Sequence, residues 1–181
     1  MTGKFLIPLL LAGTGAQADR IWVFEPGQAL VSVELGPAKA RLSATSLGMS
    51  GRVRELDSGG LRVEVRLSMA SFATGSNARD EQLRKDGDAA QFPEIVFEGV
   101  APAPDKDGTL HLAGTLNIHG VSRPLSMPLT LVRTAGMLFG HGILTLHLAD
   151  FGLPVPAGAS DEVRVEVDAG LRPEGGFASR G

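Results

Sequence analysis

Four histidines, His111, His119, His141 and His147, are the first residues to weigh as chemistry. His111 and His119 alternate onto the polar face of one segment, His141 and His147 onto that of another. No two have the i, i+2 or i, i+4 spacing that presents imidazoles ready-made to a metal, and no carboxylate pattern accompanies them. His119 precedes Gly120 in a turn, where a polar residue is expected. The chain has no Cys, which excludes disulfides and thiolate chemistry. Ser50, in Gly48-Met49-Ser50-Gly51, lacks the spacing and the strand-to-helix turn of a nucleophile elbow. Asp161-Glu162 are paired carboxylates, but they open a strand near Gly158 and read as loop residues. Asp150-Phe151-Gly152 spells the magnesium triplet of kinases without the phosphate and catalytic loops that give it meaning. The expectation is no enzyme, no catalytic residue, no metal site and no cofactor.

The elements that carry these residues are mostly strands. Over residues 61–69, Leu61, Val63, Val65, Leu67 and Met69 alternate with Arg62, Glu64, Arg66 and Ser68. A period of two with one apolar and one charged face is a half-buried antiparallel strand. Residues 163–171 repeat the pattern, with Val163, Val165, Val167, Ala169 and Leu171 opposite Arg164, Glu166 and Asp168. Residues 110–118, 125–131 and 138–148 alternate in the same way; 30–35, 40–45 and 51–56 are weaker, and 95–99 brings the total to about nine. One helix is expected over 77–85. Ser76 or Asn77 can cap it, Asp80 and Glu81 sit in its first turn, Arg84 and Lys85 near its end, and Gly87 stops it. Leu83 is its single strong apolar anchor, so it serves as a lid or plug.

One-faced strands joined by short turns such as Asp107-Gly108 and His119-Gly120 give a closed barrel or a sandwich. Helical crossovers are missing, which excludes a doubly wound α/β fold. The inward faces are Val, Leu and Ala, with Gly114 beside Leu112 and Leu116, and Gly140 and Gly142 beside Leu144 and Leu146. Small barrels fill their interiors with large side chains. Repeated inward Gly therefore means either room for a ligand or bends where backbones meet closely.

The 181 residues suit one domain, and a net charge of -3 with 5% aromatics disfavours nucleic acid. Residues 1–18 read as a secretory signal: Lys4, an apolar run over 5–12, then Ala16-Gln17-Ala18 before Asp19. The run falls short of the roughly 20 apolar residues of a membrane helix. A barrel domain is expected over 19–174 and a flexible tail over 175–181, in a periplasmic or secreted protein with no spanning helix. A transmembrane barrel is disfavoured, because there is no Tyr and one Trp for aromatic girdles, and charges fill one strand face.

Several blocks carry a resemblance. They are Thr74-Gly75, Asn77, Arg79-Asp80 and Leu83-Arg84, then Phe92-Pro93-Glu94-Ile95-Val96-Phe97; the run from Gly114-Thr115-Leu116 to Ser122-Arg123-Pro124; Asp150-Phe151-Gly152; and Asp161-Glu162-Val163. In this order the chain, from about residue 48 to 171, resembles the YceI-like lipid/polyisoprenoid-binding family. The resemblance implies an all-β fold, an extended antiparallel β-barrel of lipocalin-like shape with about 8–9 strands and one short helix. It also implies a non-catalytic carrier of a long apolar chain, such as a polyisoprenoid, an isoprenoid quinone or a fatty-acid-like lipid. The wall would then be Val63, Val65, Leu67, Leu112, Leu116, Leu144, Leu146, Val165 and Val167. Arg79 would either meet a head group at the rim or, with Asp80, tie the helix to the barrel. The chain departs from the family where Gln82 replaces a common His, Leu148 a common Arg, and residues 85–90 lack a double Phe. Head group, chain length and oligomeric state stay open, and the alternatives are a ligand-free exported interaction module or an enzyme acting on an isoprenoid-tailed substrate.

Overall fold

A computed structural model of the chain describes residues 20–36, 42–155 and 160–175. The leader expected over 1–18 lies outside the described residues, as does the tail beyond 175. The strands are β1 (Ile21–Leu35), β2 (Leu42–Ser46), β3 (Met49–Glu55), β4 (Leu61–Ser68), β5 (Glu94–Ala101), β6 (Leu110–Ile118), β7 (Val121–Thr134), β8 (Met137–His147) and β9 (Glu162–Pro173). Among the described residues one α-helix, α1 (Asn77–Asp86), stands between β4 and β5, after a short 3-10 turn over Met69–Ser71. Every strand pair is antiparallel. β3 through β9 pair in succession and β1 bonds to both β3 and β9, closing an eight-stranded barrel to which β2 adds a ninth strand along β1.

The expected strand over 30–35 is only the second half of β1. Pro26-Gly27, a pair that ordinarily marks a turn, lies inside the strand, where the register jumps between Phe24 and Ala29 against β9. Phe24 faces Leu171 and Ala29 faces Ala169, so the extra residues bulge outward. A side chain's face alternates with residue number, and the bulge resets that parity. Trp22 and Phe24 point inward before it, and Ala29, Val31 and Val33 after it. Gly27, at φ +76°, supplies the left-handed residue the bulge needs.

The remaining strands follow the alternation closely, with β6 at its expected bounds and β7 longer than 125–131 at both ends. His119-Gly120 joins β6 to β7 with both residues at positive φ, the two-residue turn that matches strand twist. Ala135-Gly136 joins β7 to β8 in the same way. Arg62, Glu64 and Arg66 are exposed on the outer face, as expected.

Helix α1 spans the expected stretch, but its ends are held differently. Ser76 is the residue before the first turn, yet its side chain makes no capping bond. The bonding is done by Asp80, whose Oδ1 accepts from the Thr74 hydroxyl at 2.6 Å and from the Thr74 N–H at 2.7 Å. At the other end Gly87 sits at φ -85°, a conformation open to any residue. A Cβ there would stand 2.9 Å from the Met69 sulfur, so the glycine leaves room for that side chain.

Candidate functional site

The inward faces of all nine strands enclose one cavity of about 470 Å³. It runs most of the barrel's length. At one end its wall is Phe24, Val53, Leu61, Leu138 and Leu171; at the other it reaches Leu67, Leu146, Leu148 and Val163. All ten residues singled out from the sequence line it: Val63, Val65, Leu67, Leu112, Leu116, Leu144, Leu146, Val165, Val167 and Arg79.

The first end is shut. Trp22, only 2% exposed, is the inward residue of β1 beyond Phe24 and belongs to the same apolar cluster. Ala101 and Leu110 are buried in the same cluster. The Trp22 indole N–H donates to Glu55 Oε1 at 2.9 Å. Arg133 bonds the same carboxylate and stands over the indole ring at 4.9 Å, a cation–π contact.

The second end carries α1. Arg79, Gln82, Leu83 and Asp86 line the cavity at i, i+3, i+4 and i+7 spacing, which is one face of the helix. The Gln82 amide donates to Asp86 Oδ1 at 2.7 Å. Thr74 and, from β2, Ser43 complete the polar part of the wall. The alternating strands gave no sign of these groups, because they come from the helix and its approach.

That approach is anchored on both sides. Ala73 and Thr45 exchange two backbone hydrogen bonds, so the segment before α1 pairs with the outer edge of β2. Buried Ser46 meets the Ser71 hydroxyl at 2.5 Å, and Ser71 donates to the Ser68 carbonyl. The Arg79-Asp80 dipeptide therefore divides its work. Asp80 is buried and structural; Arg79 is exposed and on the cavity wall. Hydrogen bonds from the Thr74 hydroxyl and N–H hold the Asp80 carboxyl below its ordinary pKa, with smaller help from the Arg84 and Arg79 charges; desolvation opposes them.

The inward glycines split between the two readings. A Cβ on Gly114 would stand 2.1 Å from the Glu98 carbonyl oxygen, so this glycine lets β5 and β6 approach closely. A Cβ on Gly142 would meet the Met127 methyl group, which takes that space. Gly140 lines the cavity, where a Cβ would meet only the ends of Leu131 and Leu129. Not singled out in the sequence were Val31 and Val33, in the weaker 30–35 segment, and Leu125, Met127 and Leu129. The alternation over 125–131 already marked those last three.

The histidines lie apart from the cavity wall. The sequence showed no carboxylate pattern near them, but strand pairing supplies one. His141 Nδ1 is 2.8 Å from Asp168, His147 3.3 Å from Asp161, and His111 3.4 Å from Asp105. His119 packs edge-on against Phe92. His141, Asp168 and Glu166 bring three possible ligand atoms within 4.8 Å of one another on the outer face of β8 and β9. Glu166 there also pairs with Arg164.

Comparison with known proteins agrees with this architecture. A UPF0312 protein of Pseudomonas savastanoi pv. phaseolicola is 27% identical over 114 residues, 59% of each chain. The chain thus matches less than two thirds of that relative's length. The crystal structure of Burkholderia cenocepacia BcnA shares the fold with TM-score 0.73 at 19% identity, over 81% of this chain and 98% of that one. A polyisoprenoid binding domain from Saccharophagus degradans, implicated in plant cell wall breakdown, gives TM-score 0.68 at 16% identity, over 84% and 98%. The model of the YceI-like domain matches residues 22–171. That match runs from the tryptophan that shuts the barrel to the last inward leucine of β9, and the chain belongs to the YceI-like domain family.

Proposed function

We propose that the protein is a non-catalytic carrier of one long apolar chain, a polyisoprenoid, an isoprenoid quinone or a fatty-acid-like lipid, working in the periplasm or outside the cell. The observation that carries this reading is the cavity itself. Its 470 Å³ falls among small-molecule sites of about 300–1,000 Å³. Apart from Ser43 of β2, its strand wall is apolar, and its polar groups gather at the α1 end. A buried water usually makes about three hydrogen bonds, and this wall has few to give. Methylene groups ask for none and gain about 0.8 kcal/mol each on burial. The fold shared with a polyisoprenoid binding domain supports the same ligand class. In this arrangement the tail lies along the barrel and the head group meets Arg79 and Gln82.

Export is supported by the apolar run over 5–12 and the small residues Ala16 and Ala18. N-terminal sequencing of protein from the exported fraction should read from near Asp19; an intact Met1 on cytosolic protein would overturn it. The carrier reading is tested by mass spectrometry of lipids extracted from the purified protein. One long-chain species in near-stoichiometric amount is expected. Protein purified from a lipid-rich extract with no bound chain would refute it.

A further inference from the structure

We infer that Trp22 is the floor of the cavity and sets the longest chain it accepts. The inference rests on the carrier reading and adds a length limit to it. Phe24 lines the cavity and Trp22, two residues back on the same face of β1, does not. The cavity therefore stops between them. Trp22 pairs directly with Val53, itself a wall residue, so the indole stands beside the end of the cavity that holds Val53, Leu61, Leu138 and Leu171.

The ring is fixed in place. Its N–H is spent on Glu55, and the Arg133 guanidinium covers it while bonding that carboxylate. Arg20 approaches the second Glu55 oxygen at 3.8 Å. A fixed aromatic plug cannot rotate aside for one more methylene as a free leucine can. The α1 end differs, because its polar side chains and the exposed Arg79 allow a chain to project past the rim. A chain held with its head at α1 must therefore end at Trp22.

The test is a length series of straight-chain alcohols in two-carbon steps, titrated into lipid-free protein. Affinity should rise about fourfold per methylene inside the cavity and level off at a limiting length. Trp22→Leu should move that limit to longer alcohols by at least one step. Trp22→Phe, which keeps a smaller ring in the same place, should move it the same way by less, and it decides the matter if Trp22→Leu fails to fold. A folded variant that keeps the wild-type limit overturns the floor while leaving the carrier reading intact. Wild-type protein that binds none of the series overturns both.

Discussion

Asp80 shows how a residue that looks functional in a sequence is assigned by its partners. Its carboxylate accepts two hydrogen bonds from Thr74, which fasten the segment before α1 to the helix's first turn. Because folding lowers its pKa, Asp80 contributes stability that is full above the unfolded value of about 4 and is lost as pH falls through the lower folded value. Asp80→Asn should therefore melt below wild type at neutral pH, with the gap closing in acid. A gap independent of pH in thermal melts would contradict this. Wall residues behave differently. Val65→Asp or Val167→Asp places a carboxylate against an aliphatic wall and should cost several kcal/mol or prevent folding. Arg66→Ser, on the outer face, breaks only the exposed pair with Glu94 and should cost no more than about 0.5 kcal/mol. Denaturant titrations giving equal losses for the two faces would show the strand orientation to be wrong.

At the scale of elements, the glycines make the sharpest test, since one residue type does opposite jobs on neighbouring strands. Gly114→Ala drives a methyl group into the Glu98 backbone and should destabilise by about 1–3 kcal/mol, as overpacking does. Gly140→Ala meets only flexible leucine ends and should be nearly neutral in denaturant titrations. Equal losses would mean that both glycines serve bends and that neither leaves room. The strands themselves were legible wherever alternation ran unbroken, as over β4, β6 and β9. The first half of β1 was not, because Pro26 and Gly27 mark turns far more often than bulges. Only the pairing with β9 shows that the chain continues as a strand. The polar mouth was hidden for a related reason. Arg79, Gln82 and Asp86 form a stripe only once the helix is docked, and its docking depends on the Ala73–Thr45 bonds to a distant strand. The His–Asp pairs likewise join residues brought together by register across β8 and β9 or by loops, and sequence spacing carries no trace of them.

For the whole molecule, the apolar cavity links stability to ligand. The core is continuous around the closed end, where Trp22, Leu61, Ala101, Leu110, Leu138 and Leu171 are all buried, and opens into the cavity towards α1. A ligand that fills this space binds the folded state alone, so it stabilises by mass action. At one hundred times its dissociation constant that amounts to about 2.7 kcal/mol. For a domain of this size each kcal/mol moves the melting temperature by about 2–4 °C, so saturation should raise it by about 5–10 °C. Protein stripped of lipid by denaturation and refolding in detergent should melt lower than protein as purified, and adding back the extracted lipid should restore the difference. Arg79→Ala should keep most of that rise, because the guanidinium sits at the exposed rim while the methylenes supply the burial. Loss of the whole rise in Arg79→Ala would mean that the head group governs binding. No rise in wild-type protein on adding lipid would mean that the cavity is not where the chain resides.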